Sequence, residues 1–443
     1  MKRKFSRRTL LKSSATVAAG LGSSWLPTAW ASDDTPYEGT LLVTLQLKGG
    51  ADVTQFCDPK VNVPGERRIN NWADLAEPGQ AGSIRYAPFA DNANLFERFG
   101  IDMLVVNGVD AQTNSHLTGQ LYNWTGSNTE GLPSLTALHA AVRAPNQPLA
   151  YAVYGGTSRT AGLVRFTRLD DPEKLAEVVR PEAAHRGGVD QIRPEFDVET
   201  AQQLVQAHTA ELLGSENITP RQRFNLSNLQ AARATRSTLA RLEDFLPGEG
   251  EIQQPERFSV GPDQFVSTLK LNTQVAFSVF KAGLGCSADL VLDGFDSHDL
   301  HDGVSEILLE KLADALYFFW DEAEVQGLAD RILLVVGSDF GRTNHYNDGE
   351  GKDHWPIGSY IIMEKGAAWG NRVVGATDEL HFAKRINPAT LQVDPSGVIL
   401  KPSHVHKALQ NYLGLNAFAE SRRLGFLEIE DLDLFAPDKQ TNV

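Results

Sequence analysis

The chain has 443 residues, a formal net charge of −15 and 42% hydrophobic residues. That length is enough for one large core or two smaller ones, and the acidic balance repels phosphate backbones, which excludes nucleic acid as a partner. Two cysteines make no disulfide framework, and the lack of CxxC or Cys/His finger spacing excludes structural zinc modules and c-type haem.

The first 31 residues read as a twin-arginine export signal. Arg7 and Arg8 precede a mildly apolar stretch rich in Ala, Gly and Ser, and Ala29-Trp30-Ala31 closes it with small residues suited to a signal peptidase. The apolar stretch is too short and too interrupted to anchor the chain in a membrane. Its removal takes away six Lys or Arg and no acid, moving the net charge from −15 to −21. The expected product is a periplasmic or secreted protein with no stable membrane anchor, partnered by the twin-arginine translocase during export. That route carries folded chains, often with a cofactor already loaded.

Residues 32–443 read as a single α/β domain with a mostly parallel central sheet between helices. Leu41–Leu47 is a strand followed by the Gly49-Gly50 turn, and Met103–Val106 is the next. A helical insertion spans about 195–283, with helices over Gln202–Leu213 and Pro220–Leu246. Leu284–Leu292, Ile332–Val336 and Tyr360–Met363 follow as strands. Between the first two of these, Val304, Ile307, Leu308, Leu312, Ala315, Leu316 and Phe319 fall on one helical face. Nearly continuous apolar runs, rather than alternation, indicate strands covered on both faces, as in a parallel sheet. Cys57 and Cys286 are left open to pairing or to standing as separate buried thiols.

In such sheets the functional loops leave the carboxyl ends of the strands. The first strand is followed by Lys48–Asp52, the second by Asn107–His116, the third by Gly294–His301, and the fourth by Ser338–Thr343, reaching Asp353-His354. Each delivers carboxylate, hydroxyl or imidazole, and the joint pattern points to a site for a metal or an anion. Mixed Asp and His donors suit Zn²⁺ or Mn²⁺. Asp296 and His298, two apart on an extended segment, point the same way, although a solvated helix-capping turn has the same sequence. Asp299 and His301 fit the start of the following helix, His345 a solvent-facing loop, and His404 with His406 the capping and surface positions of an amphipathic helix. Ser115 sits where a helix begins, in a field that stabilises an alkoxide or a bound anion; it fits equally as a first-turn residue behind an N-cap at Thr113 or Asn114. No G-x-S-x-G elbow occurs, which argues against an α/β-hydrolase. Gly283–Ala288 mimics a dinucleotide fingerprint but precedes its strand instead of following it.

The motifs Leu47–Asp52, Asn114–Gln120 with Trp124–Gly126, Gly294–His298, Ser338–Thr343, Asp353–Pro356 and Val374–Asp378 together resemble an exported bacterial family, domain of unknown function 1501. That family looks like a branch of the alkaline-phosphatase superfamily, with its sulfatases and cofactor-independent phosphoglycerate mutases. The resemblance implies a metal-bearing α/β sandwich, a divalent metal such as Zn or Mn, and a small phosphate or sulfate ester as substrate. Position by position it implies Asp52 as the first-strand metal aspartate and Ser115 as the nucleophile. Asp296 and His298 would serve one metal site, Asp339 and His354 the other, and Arg342 would clamp an anionic oxygen. Phe340 stands where the superfamily usually has histidine, which depletes one of the two metal sites and leaves a second implication open: a non-catalytic exported partner or assembly protein that retains the sandwich.

Overall fold

The structure, a computed structural model, describes residues 35–168, 195–223, 225–227, 236–248, 250–260, 263–422 and 426–437. The expected export signal at 1–31 lies outside these residues. Among the described residues no helix is long and apolar enough to cross a membrane.

The main body contains β1 (Leu41–Lys48), α1 (Asn92–Phe99), β2 (Met103–Asp110), α2 (His116–Thr125), α3 (Leu135–Arg143), β3 (Tyr151–Val153) and β4 (Thr167–Arg168). It continues through α4 (Leu269–Lys281), β5 (Ser287–Asp293), α5 (His301–Gln326), β6 (Ile332–Ser338), β7 (Ile357–Met363), β8 (Arg372–Val374) and α6 (Pro402–Tyr412). The eight strands form one sheet in the order β8-β2-β7-β6-β1-β5-β3-β4. Neighbouring strands run parallel except at β7, which is antiparallel to both β6 and β2. The carboxyl ends of β1, β2, β5 and β6 therefore share one edge of the sheet.

The apolar runs account for this arrangement. Leu41 through Leu47 are buried without alternation, as a strand covered on both faces must be. Leu42 joins Leu104, Val106, Leu333, Val335 and Ile362 in one core, closed by Trp124 of α2 and by Val405 and Leu409 of α6. In α5 the expected stripe is buried at Leu308, Leu312, Ala315, Leu316 and Phe319, while Val304 and Ile307 are half-buried. Phe319 meets Phe277 of α4 edge-on, with ring centroids 5.0 Å apart. Cys57 and Cys286 are separate buried thiols.

Three expectations change. The strand read over Leu284–Leu292 begins only at Ser287, because Gly283 turns the chain at φ +68°, where a Cβ would lie 2.5 Å from Pro36. Tyr360–Met363 belongs to β7, the one reversed strand. The insertion read over 195–283 is also shorter. The helix Glu195–Gly214, which contains the expected Gln202–Leu213, and the helix Arg236–Ala240 fall in a second compact unit within 177–240. From Arg241 onward the chain belongs to the main body. There Glu256–Val260 and Asp263–Ser267 pair as an antiparallel hairpin, held by Phe258 stacked on Phe265 at 5.6 Å.

One helix matters most for the site. Asn123 of α2 donates to the carbonyls of Gly119 at 2.9 Å and Asp339 at 2.7 Å, and its own oxygens accept from Tyr360 and from His406 Nε2. Gly119 allows this approach, since a Cβ there would sit 2.5 Å from the Asp339 carbonyl. Gly119→Ala is therefore expected to cost about 1–3 kcal/mol through the backbone shift it forces. The readout is a lower urea midpoint at unchanged slope, and an unchanged midpoint would refute the close-approach argument.

Three buried histidines contribute to the response to acid. Burial pushes His139 down to about 3, and His381 and His406 down to about 4. In the unfolded chain they titrate at about 6.5. The stability they permit is complete above that pH and is lost as pH falls toward about 4, on the order of 1 kcal/mol per pH unit for each group. Urea midpoints measured across this window should fall with acid, and His406→Gln should flatten the slope by one proton.

Candidate metal centre

Where β1 ends, Gly49 and Gly50 adopt φ of +115° and +89°. A Cβ on Gly49 would lie 2.5 Å from the Asp296 amide nitrogen, and one on Gly50 would lie 2.9 Å from the Phe340 ring. The turn aims both carbonyls inward, and buried carbonyls require donors. Arg342 supplies them: Nε donates to Gly50 O at 2.8 Å, Nη2 to Gly49 O, and Nη1 to Lys352 O at 3.0 Å. Nη2 also donates to Asp296 Oδ1 at 2.6 Å. The guanidinium expected to clamp an external anion is thus fully buried and committed to the protein. In this structure the group to which the resemblance assigns an anionic oxygen holds these protein partners instead.

Asp52 is likewise bound to protein groups. Its Oδ1 accepts from Thr54 N at 2.9 Å and from Thr54 Oγ1 at 2.7 Å. Its Oδ2 meets Lys352 Nζ at 2.7 Å and His301 Nε2 at 2.9 Å, with the Asp52 and Lys352 side chains fully buried. Burial alone would raise the Asp52 carboxyl, but the Lys352 ammonium and the His301 bond outweigh it and hold it well below the usual carboxylate range. This carboxylate is neutralised by protein cations alone. His301 does begin α5 as read, but it is buried against Asp52 rather than merely opening the helix.

The remaining groups converge. Asp296, at the end of β5, is half-exposed; its Oδ1 lies 3.0 Å from His298 Nε2 and 3.2 Å from His354 Nε2, and its Oδ2 lies 3.3 Å from His116 Nε2. His298 and His354 place their Nε2 atoms 3.0 Å apart. One donor atom each from His116, Asp296 and His354 fall within 4.8 Å of one another. Each imidazole is steered through its other nitrogen: His116 Nδ1 by Asp339 Oδ2 at 2.8 Å, His354 Nδ1 by Asn114 O at 2.8 Å, and His298 Nδ1 by Asp353 Oδ1 at 2.9 Å. His354 arrives on a short antiparallel pairing of Gly341–Arg342 with His354–Trp355. Phe340 lies buried beside the His116 and His354 rings, with centroids 4.8 and 4.7 Å away. Burial would raise Asp296, yet Arg342 and the neighbouring imidazoles hold its carboxyl down at about 2. The bond to Asp339 raises the His116 pKa against the opposing effect of burial.

Asp339 takes a different role from the ligand the resemblance implied. Its buried Oδ2 already receives Gly49 N at 3.2 Å, Gln120 Nε2 at 3.1 Å and His116 Nδ1. It fixes the His116 ring, as carboxylates behind metal-binding histidines do. His116 Nε2 is buried and makes no hydrogen bond, since its 3.3 Å approach to Asp296 is not aligned for one. A buried nitrogen without a hydrogen-bond partner, aimed at a carboxylate and a second imidazole, fits a borderline divalent ion such as Zn²⁺ or Mn²⁺. The donor set for one ion is present at His116, Asp296 and His354, with His298 beside it. At Asp52 both carboxylate oxygens are engaged by protein donors, and at Asp339 Oδ2 is.

Ser115 heads α2 in an extended conformation, is exposed, and makes no side-chain capping bond. Its two neighbours, Asn114 and His116, both touch the cluster. His345 is half-buried and bonded to Asn344 rather than solvent-facing. His404 caps α6 as expected, accepting from Lys401 N at 3.0 Å, but both it and His406 are buried. Sequence reasoning gave no role to His116 or Lys352. The signal for His116 is the spacing of His116, Gln120 and Asn123, one helical face of polar residues turned toward Asp339. Lys352 carries no such signal, since a lysine in a glycine-rich loop reads as solvated.

No curated protein matches the chain. Among solved structures it is similar to a Bacteroides thetaiotaomicron protein from a core locus for metabolism of multiple glycosaminoglycans, at 7% identity and a TM-score of 0.42, covering 90% of this chain and 77% of that one. It is also similar to a Pseudoalteromonas sulfatase at 10% identity and a TM-score of 0.37, covering 99% and 78% respectively. Alkaline phosphatase from the Antarctic bacterium TAB5 matches at 8% identity and a TM-score of 0.32, covering 76% of this chain and 95% of that one. Residues 266–394, the stretch that carries Asp296, His298, Asp339, Arg342 and His354, match the family described as Protein of unknown function (DUF1501).

Proposed function

We propose that the chain is an exported, metal-dependent hydrolase of small phosphate or sulfate esters, holding one divalent ion on His116, Asp296 and His354. His298 Nε2, 3.0 Å from Asp296 Oδ1, adds a further nitrogen donor on the exposed side. The observation that carries this reading is the buried His116 Nε2, which has no hydrogen-bond partner and is held by Asp339 in the orientation a ligand needs. A divalent ion there supplies Lewis acidity toward an ester oxygen.

The chain's own part in the reaction is assigned to Ser115 and α2. Ser115 Oγ forms the new bond to phosphorus or sulfur and releases its proton to solvent, which its exposure allows. The bridging ester oxygen departs with the bonding electron pair and takes a proton from solvent. Water then cleaves the seryl ester, restoring the hydroxyl and releasing inorganic phosphate or sulfate. The amino end of α2 faces the charge that develops at that position. Asp339 and Gln120 keep the His116 ring fixed throughout.

One observation favours a second reading, a non-catalytic exported partner or assembly protein. Arg342 and Lys352, the buried cations of these loops, are both spent on internal partners and leave no charge for a substrate anion. Zn²⁺- or Mn²⁺-loaded protein separates the two. If the hydrolase reading holds, aryl phosphate or aryl sulfate is turned over, and Ser115→Ala lowers the rate more than about 10³-fold at unchanged metal content. His116→Ala should bring bound metal below about 0.3 per chain. Loaded protein without turnover would favour the partner reading, and His116→Ala with full metal content would remove the metal centre itself.

A further inference from the structure

We infer that Lys352 is a resident cation that takes the place of a second metal ion, limiting the chain to a single divalent ion. The inference deepens the metal-centre reading, but its own evidence lies on the far side of Arg342, around Asp52.

Lys352 Nζ sits 2.7 Å from Asp52 Oδ2, 2.9 Å from Asn70 Oδ1 and 3.3 Å from Thr54 Oγ1. The same Asp52 oxygen holds His301 Nε2 at 2.9 Å. A carboxylate, an amide oxygen, a hydroxyl and an imidazole around one point form a donor set that suits a divalent ion. Here the three oxygens meet the three N–H donors of an ammonium. Every one of these side chains is buried, and the Tyr346 ring lies 5.1 Å from Nζ. The lysine is also placed by its backbone, with its N–H on Ser297 O at 3.1 Å and its carbonyl on Arg342 Nη1 at 3.0 Å. The ammonium is thus built in from both sides, through its own main chain and through its head group.

Charge balance points the same way. Asp52 pairs with Lys352 and Asp296 with Arg342, whereas Asp339 receives only Gly49 N, Gln120 and His116. With Asp353 on His298 as the fourth, four carboxylates against two buried cations leave two negative charges when the imidazoles are neutral. One dication is accommodated by that balance. A second, placed at the buried Asp52, would add two uncompensated positive charges where desolvation opposes them strongly.

The test is metal stoichiometry of the full chain, by equilibrium dialysis against Mn²⁺ with elemental analysis. Wild type should bind one ion, Lys352→Ala two, His116→Ala none, and the double variant one. The gain of one ion on removing Lys352 reads the present inference, and the loss of one on removing His116 reads the metal centre, so either can fail alone. Lys352→Ala should also lower Tm, with Mn²⁺ restoring it, while Asp52→Asn/Lys352→Ala should show no restoration. Two ions in the wild type would overturn the inference, as would a folded Lys352→Ala with the wild-type count. A Lys352→Ala chain that stays unfolded in millimolar Mn²⁺ while Asp52→Asn/Lys352→Ala folds would overturn it as well.

Discussion

The site depends on one buried guanidinium. Gly49 and Gly50 leave β1 in left-handed conformations that turn their carbonyls inward, and Arg342 is the donor that satisfies them. The same group reaches the Lys352 carbonyl and the Asp296 carboxylate. Three segments far apart in sequence, the Gly49–Gly50 turn, the loop of Asp296 and the stretch from Arg342 to Lys352, are thereby fixed to a single planar fork, and a planar fork has little freedom once its donors are used. The positions of Asp296 and Lys352 follow from this, and with them the divergence between an open cluster on one side and a closed ion pair on the other.

Around that anchor the groups divide by burial. Asp296, His298 and Asp353 are substantially exposed, whereas Asp52, Lys352, Asp339 and Arg342 are not. The exposed set can exchange partners with solvent and ligand. In the buried set each carboxylate has its donors already: an ammonium for Asp52, and a backbone amide, an amide side chain and an imidazole for Asp339. Phe340 separates these roles further, since an aromatic ring beside His116 and His354 offers them packing and no competing donor.

Much of the fold could be read from the amino acids because uninterrupted apolar runs such as Leu41–Leu47 and Ile332–Val336 belong to strands buried on both faces. Strand direction is not written into such runs, which is why the reversal of β7 was invisible. The hairpin at 256–267 was lost in a region judged helical as a whole, although Phe258 and Phe265 stand at alternating positions. The strand-end residues did assemble at one edge, and the Asp296/His298 pair is local. What each carboxylate meets is another matter. Lys352 lies 300 positions from Asp52 in the chain, and no local pattern tells an ammonium from an ion as the partner. His116 was recoverable from helical spacing only once Asp339 was known to lie beneath that face.

The reversed strand has a consequence for how such a site is held. In a sheet running wholly one way, each loop at the functional rim must cross to the far rim before the next strand begins. Because β7 runs backward, the chain leaves β6 at Ser338 and re-enters the sheet at Ile357 on the same side. Asp339, Phe340, Arg342, Lys352 and His354 all ride on that one excursion, pinned midway by the pairing of Arg342 with His354. The length of the excursion is therefore not set by a crossing to the far rim; what holds it is the pair of ties that Arg342 makes to the Gly49–Gly50 turn and Lys352 makes to Asp52.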